Sequence, residues 1–137
     1  MSGELELFNP EALGRPRGYS NGVLAPAGSR LLFVAGQVGW DRAQKLVSER
    51  FLCQWSRALD NVLAVVHEAG GRPEHVARLT VYVTDKREYL AELAEVGVAY
   101  RARFGRHFPA MALVEVAALL EAGAKVEIEA IAVLPAE

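Results

Sequence analysis

The chain has one cysteine, Cys53, so no internal disulfide can form, which fits a reducing compartment. It has no excess of charge: 15 Lys and Arg against 17 Asp and Glu leave a formal net charge of −2. That balance gives no electrostatic reason to expect nucleic acid or an anionic membrane as a partner. No apolar run approaches the length of a membrane span. Residues 1–10 carry Glu4 and Glu6 and no basic-then-apolar segment, so no signal peptide is read there. The three histidines, His67, His75 and His107, lack ligand spacing with one another or with Cys53, so no metal is expected. No cofactor motif is visible, no repeat recurs at a fixed period, and no Ser–His–Asp arrangement can be argued from spacing. These absences leave one cytoplasmic domain over residues 1–137 as the expectation.

Of the 137 residues, 52% are hydrophobic, which excludes general disorder. At this length about two-thirds of the unfolded surface can be buried, so a core forms without staples. The last third organises the chain. Residues 108–116 and 125–134 both alternate with period two, the pattern of a strand with two different faces. In the second run Val126, Ile128, Ala130, Ala132 and Leu134 share one face, and Lys125, Glu127, Glu129 and Ile131 share the other.

Earlier, residues 5–8 read as a short strand and 11–17 as a loop. Residues 19–25 read as a weak strand, and 31–35 as a strand stopped by Gly36. The last two, separated by the turn 26–29, suggest a hairpin. Gly36 to Val47 reads as a loop whose paired glycines around Gln37 permit close backbone approach. Trp40 beside Asp41 in this loop is either a binding wall or a packed lid.

Ser48 is the expected N-cap of a first helix running to about Ala69, with Trp55, Leu59, Val62, Val66 and Ala69 as its buried stripe. Gln54 and Asn61 read as surface or helix-end polar residues. Gly70-Gly71 and Pro73 end the helix. Residues 76–84 alternate again, with Ala77, Leu79, Val81 and Val83 on one face. Asp85, with Glu88 three residues on, caps a second helix that ends at Gly105 and has Leu93, Val96, Tyr100 and Phe104 as its stripe. Arg101, Arg103 and Arg106 suit the negative end of its dipole.

Both helices can lie on the apolar face of one sheet. The other face is then expected to carry Arg78, Thr80, Tyr82, Met111, Leu113, Glu115, Glu127 and Glu129. That mixture is too apolar for plain solvated surface and suggests an interface in a symmetric homo-oligomer.

Several segments together resemble the RidA/YjgF family. They are Tyr19, Val34-Ala35-Gly36-Gln37, Leu59-Asp60-Asn61-Val62, Ala69-Gly70, the run 80–85, Phe108-Pro109-Ala110 and the run 126–132. The resemblance implies a chorismate-mutase-like α+β subunit, with a mixed sheet of about six strands and two helices on one face. It also implies a homotrimer with small-molecule clefts between subunits. The activity it implies is hydrolysis of reactive enamines and imines, such as 2-aminoacrylate, to 2-oxoacids and ammonia.

The resemblance places the family's water-handling Glu at Glu127, its Tyr at Tyr19 and its Gly at Gly36. Gln37, Trp40, Met111, Ala112 and Leu113 join these as ligand-binding candidates. The Ser usual before the Gly is Ala35, and an Asn of the second helix falls at Gly97 or a neighbour and is absent here. The family's carboxylate-binding Arg falls on Met111. Met cannot replace a bidentate, charge-assisted contact. Losing such a partner costs about 2–5 kcal/mol of binding, so the usual amino-acid-derived imine is an unexpected substrate. Whether Arg15, Arg17 or an arginine late in the second helix substitutes is left open by the residues alone.

A carboxylate in a partly apolar cleft suits general acid or base work, which makes Glu127 the leading catalytic candidate beside its reading as an interface carboxylate. Glu129 reads as a second site carboxylate or a salt-bridge partner, and Cys53 as a packed thiol. Three functions follow: hydrolysis of an imine, enamine or related metabolite; metabolite binding without turnover; and, last, endoribonuclease or translation inhibition, which the missing basic stripe disfavours.

Overall fold

The computed structural model describes residues 4–137, so the leader reading of residues 1–10 lies partly outside them. The elements run β1 (Glu6–Phe8), β2 (Gly22–Leu24), β3 (Arg30–Val38), α1 (Phe51–Glu68), β4 (Val76–Val83), α2 (Lys86–Ala91), α3 (Leu93–Phe104), β5 (Ala110–Glu115) and β6 (Val126–Leu134). The fold is α+β with a mixed sheet. The strands form a four-stranded sheet of order β3-β6-β4-β5 and a separate two-stranded pair, β1-β2, rather than one six-stranded sheet. Among the described strand pairs only β4 and β5 run parallel.

The alternation of β6 predicts its role. Val126, Ile128, Ala130, Ala132 and Leu134 are all buried, and this strand lies between β3 and β4. The helices cover that face, with α1 against β3 and β6 and α3 beside α1. The core joins the α1 stripe (Trp55, Leu59, Val62, Val66) to Leu79, Val81 and Val83 of β4 and to Val96, Tyr100 and Phe104 of α3.

Several expectations are corrected. The β2–β3 hairpin does not form: β2 pairs with β1, and β3 pairs with β6. Strand β3 continues through Gly36 and Gln37 to Val38, because β6 supplies a partner along its whole length. Helix α1 begins at Phe51, and the Ser48 hydroxyl instead accepts from the Arg50 N–H in the preceding turn. The buried face of β4 takes Val76 rather than Ala77, because the register with β6 shifts between Val76 and Arg78.

The second helix is two helices, α2 and α3, broken at Glu92, whose φ of −116° and ψ of 28° leave the helical region. The bend seats Tyr89 edge-on against Phe51 and Trp55 while Val96, Tyr100 and Phe104 turn into the core. Asp85 caps α2 as expected, accepting from the Arg87 N–H. Glu88 does not complete a capping box; its side chain pairs with Lys125 at 2.8 Å. Among the described residues no helix is long and apolar enough to cross a membrane.

Candidate functional site

Period-two alternation puts Glu127 on the sheet face away from the helices, in line with Glu129 and Ile131. Beside it β3 carries a bulge: Val34 pairs with Ala130 and Gln37 with Ile128, so Ala35 and Gly36 together oppose Glu129. Bulges of this kind bend a strand and re-aim what lies beside it. Here the bulge brings the Gly36 backbone against the Glu127 carboxyl group. A Cβ at Gly36 would stand 2.8 Å from Glu127 Cδ, closer than real Cβ contacts come. A side chain at 36 would therefore displace the Glu127 carboxyl group; the constraint is close approach, not an unusual backbone angle.

Among the described residues the Glu127 carboxylate has no hydrogen-bond or ion-pair partner. Tyr82 sits opposite it on β4, but its hydroxyl donates to Glu129 Oε1 at 2.6 Å. That hydrogen bond, then desolvation, then the charges of Glu129 and Glu127 push the Tyr82 phenol above its ordinary pKa. Glu129 is thus held by a phenol rather than by a salt bridge.

Met111 and Leu113 lie elsewhere. The parallel register sets Met111 beside Leu79, Leu113 beside Val81 and Glu115 beside Val83, all on the helix-covered face. This corrects their expected place beside Glu127. A strand's period reveals two faces but not which is which, and one residue of register exchanges them. Ala112 pairs with Thr80 and does share the outer face. Glu115 accepts from the Lys86 N–H at 3.0 Å, which makes it part of the start of α2.

Met111 borders a cavity of about 220 Å³ whose other walls include Arg17, Trp55, Tyr89, Gly97 and Arg101. Local sequence builds each wall. Gly18 has φ of 78°, which turns the chain. Ser20 then bridges to Ala110, its N–H donating to the Pro109 carbonyl at 3.0 Å and its hydroxyl to that of Phe108. These bonds bring Arg17 to the start of β5 and leave Tyr19 38% exposed nearby. Helical side chains lean toward the N-terminus, so Arg101 covers the turn before it. Its Nη1 lies 3.0 Å from where a Gly97 Cβ would stand.

Arg17 and Arg101 therefore share a cavity with Met111. Arg103, by contrast, is tied to Asp60 at 2.6 Å. The Trp55 indole is 3% exposed, and its Nε1–H has no hydrogen-bond partner. By spacing Trp55 reads only as part of the stripe; an indole N–H with no acceptor predicted for it is the available signal.

The β3–α1 connection is held from below. Asn61 Nδ2 donates to the carbonyls of Val38 and Trp40, each at 3.0 Å. Gln54 is fully buried rather than at the surface. Its amide donates to the Ser48 and Gly123 carbonyls and accepts from the Lys125 N–H at 2.8 Å. Trp40, half-buried, bridges to Leu46 across this loop, and Gln37 Nε2 donates to the Ala35 carbonyl at 3.1 Å.

A larger cavity of about 420 Å³ is bordered by Arg72, His75 and His107. Both rings are engaged by backbone there. His75 Nδ1 accepts from the Arg72 N–H at 2.9 Å, and His107 Nε2 lies 2.6 Å from the Val76 carbonyl oxygen. Desolvation, then the Arg72 charge, lowers the His75 pKa below its ordinary value. Among the described residues no group of His, Cys, Asp and Glu is placed to hold a metal ion.

The family model described as endoribonuclease L-PSP matches residues 10–134. The chain belongs to this family, the RidA/YjgF proteins. Among its relatives is the protein DfrA of Myxococcus xanthus, 38% identical over 125 residues, covering 90% of this chain and 88% of that protein. The 2-iminobutanoate/2-iminopropanoate deaminase of Salmonella typhimurium is 38% identical over 106 residues, 75% of this chain and 79% of the deaminase. The crystal structure of the Rid family protein YyfB from Yersinia pestis superposes with a TM-score of 0.82 at 32% identity, covering 96% of this chain and 99% of that one.

Proposed function

We propose that this RidA/YjgF chain binds a small imine or enamine in clefts between the subunits of a homotrimer and hydrolyses it, with Glu127 handling the water. The observation that carries the reading is the Glu127 carboxyl group laid against Gly36 at the β3 bulge with no protein partner among the described residues. A carboxylate left unpaired beside a side-chain-free stretch of backbone is free to serve a water or a ligand. The deaminase name of the Salmonella typhimurium relative supports the reaction class.

The reaction balances with water alone. Glu127 takes a proton as the water oxygen bonds to the imine carbon, and returns it to the nitrogen. The C–N bond then breaks as the hydroxyl proton passes to the departing nitrogen, ammonia leaves, and a carbonyl remains. An enamine enters the same path after its carbon takes up a proton and its nitrogen gives one up, which yields the imine. No cofactor is needed in this scheme.

Within one chain Glu127 and Met111 lie on opposite sheet faces, so a cleft containing both requires two copies. Strands β3 and β5 are the two edges of the four-stranded sheet, which gives a neighbouring copy an approach to either. Tyr19, Gly36, Gln37, Trp40, Met111, Ala112 and Leu113 are the proposed ligand contacts across that junction.

Ammonia and oxoacid release from imines generated in situ tests the reading. Wild type should turn over, and Glu127→Gln should cut the rate by about 100-fold, the usual contribution of a positioned base. Full activity in Glu127→Gln would sink it. Metabolite binding without turnover is the second reading, favoured by the uncharged Met111. The formal charge of −2 argues against a ribonuclease function despite the family description.

A further inference from the structure

We infer that the cavity of about 420 Å³ between β1 and the start of β4 is a second binding site, which takes a neutral ligand by a cis-amide edge: the adjacent N–H and C=O of a lactam, an imide or a primary amide. It stands apart from the proposed imine cleft. His75 directly precedes β4, whose Tyr82 pairs with Glu127, so about 20 Å of strand lies between them. Among the described residues none borders both this cavity and the one beside Met111.

Two histidines carry the inference, because backbone groups fix which nitrogen holds the proton in each neutral ring. His75 Nδ1 accepts from the Arg72 N–H at 2.9 Å, so Nδ1 is bare and the proton sits on Nε2. Among the described residues that Nε2–H has no hydrogen-bond partner, although His75 is only 9% exposed. Nor is it sealed in: among the described residues the one partnerless side-chain nitrogen or oxygen closed to the surface is Trp55 Nε1. His75 therefore turns an unmet donor into the cavity it borders.

His107 is the opposite case. Its Nε2 lies 2.6 Å from the Val76 carbonyl oxygen, which only accepts, so Nε2 carries the proton and Nδ1 is left as a bare acceptor. Val76 follows His75 in the chain, so the two rings stand near each other. Desolvation first, then the Arg72 charge, lowers the His75 pKa, and His107 adds to both, which keeps the His75 ring neutral at neutral pH. One ring thus offers a donor and the other an acceptor to the same space.

Other ligands fit less well. An anion meets the bare His107 lone pair and the bordering Glu4 and Glu74, and Arg72 is already engaged by Glu74 at 3.0 Å. A metal ion finds the His75 Nδ1 lone pair taken, and among the described residues no three ligating groups come together. Water serves both nitrogens, but an amide edge makes the same two bonds and brings an apolar body with it. Leu5, Leu7 and Pro135 supply the apolar surface for that body. Because backbone bonds already hold both rings, little ordering is left for the ligand to impose. The volume suits a small bicyclic molecule, since ligand pockets run from about 300 to 1,000 Å³.

The probes are 2-quinolone, a bicyclic lactam, and coumarin, which has the same shape and carbonyl with a ring oxygen in place of the N–H. Binding to the full-length protein is read by NMR from the imidazole nitrogens of isotope-labelled histidines. The third histidine of the chain, exposed His67, is removed by His67→Gln, so the two remaining rings are those of the site. Without ligand both should show the tautomer with the proton on Nε2. 2-Quinolone should shift both rings saturably and bind at least about tenfold tighter than coumarin, which leaves the His107 lone pair unmet.

His107→Phe should erase the preference for the lactam, because the acceptor is gone. His75→Phe should weaken both probes about tenfold, because both use its donor. Equal affinity for the two probes, rings that do not move at saturation, or a lactam preference kept in His107→Phe overturns the inference. If the Phe variants do not fold, the two titrations in the His67→Gln protein decide: selective, saturable shifts uphold the site, and their absence refutes it.

Discussion

Replacing Gly36 or Gly39 with alanine adds the same methyl group in two very different places. At 36 the new Cβ meets the carboxyl end of Glu127, a flexible side chain on an open face. The carboxylate swings away, so stability should change by less than about 1 kcal/mol, as for most surface substitutions. Turnover should nonetheless fall about 100-fold, the usual loss when a reacting group is misplaced by an ångström. At 39 the Cβ would stand 2.6 Å from both Cα and the backbone oxygen of Gln54. Backbone cannot swing aside, so Gly39→Ala should cost about 3 kcal/mol in urea unfolding, the upper end of overpacking. A large stability loss in Gly36→Ala, or none in Gly39→Ala, contradicts these geometries.

His75 sets a pH dependence at the same scale. Its pKa is lowered in the fold, chiefly by desolvation and then by Arg72, and its Nδ1 must be unprotonated to accept from the Arg72 N–H. Below its ordinary pKa of about 6.5 the unfolded chain binds the proton that the folded chain resists. The stability His75 contributes is therefore present above that value and lost as pH falls toward the lowered folded pKa. Thermal melts between pH 7 and pH 5 should show Tm falling, with a shallower slope in His75→Gln. An unchanged slope in the variant removes His75 as the cause.

At the scale of elements, α1 shows what a sequence can and cannot say. Its stripe is legible from three-four spacing, yet the polar Gln54 reads from sequence as a surface or helix-end residue. The spacing already placed it with Phe51, Ala58 and Val62, all buried. An amide with both donors and its acceptor satisfied fits a core position, and only partners distant in sequence supply them. Gln54→Leu leaves the Lys125 N–H and the Ser48 and Gly123 carbonyls short of a partner, at about 1–3 kcal/mol for each orphaned group. Denaturant unfolding should show a loss of about 3 kcal/mol or more. A loss under about 1 kcal/mol would mean water replaces the amide.

The strands divide in the same way. The alternation of β6 gave its faces and its carboxylates directly, because period two is local. The bulge in β3 and the parallel register of β5 are set by neighbours, so the sequence put Gly36 in a loop and Met111 on the wrong face. The candidate residues were legible, but their division into an outer Glu127 group and an inner Met111 cavity was not. The break at Glu92 has no glycine or proline to announce it; packing of Tyr89 on Phe51 and Trp55 demands it.

At the scale of the whole molecule, the outer sheet face is unfinished. Phe33 is 70% exposed and Leu31 59%, beside the partly buried Ile131 that pairs with Phe33, and Val114, 43% exposed, lies on the opposite edge strand of the same face. Large apolar groups clustered on one open face mark an interface rather than scattered surface. The same face holds Glu127, while the Met111 cavity opens on the other side of the sheet, so on the proposed reading one chain offers two incomplete half-sites. Phe33→Asp tests both points together. A charge at the centre of a dry interface typically costs enough to dissociate it, because its desolvation goes unpaired. Sedimentation should then show monomers where wild type is expected to show the proposed trimer, with circular dichroism unchanged because Phe33 lies outside the core. Imine turnover should vanish with the trimer. Monomers that keep full turnover would show that Glu127 needs no neighbour, and the composite cleft would have to be abandoned even if the outer face does assemble.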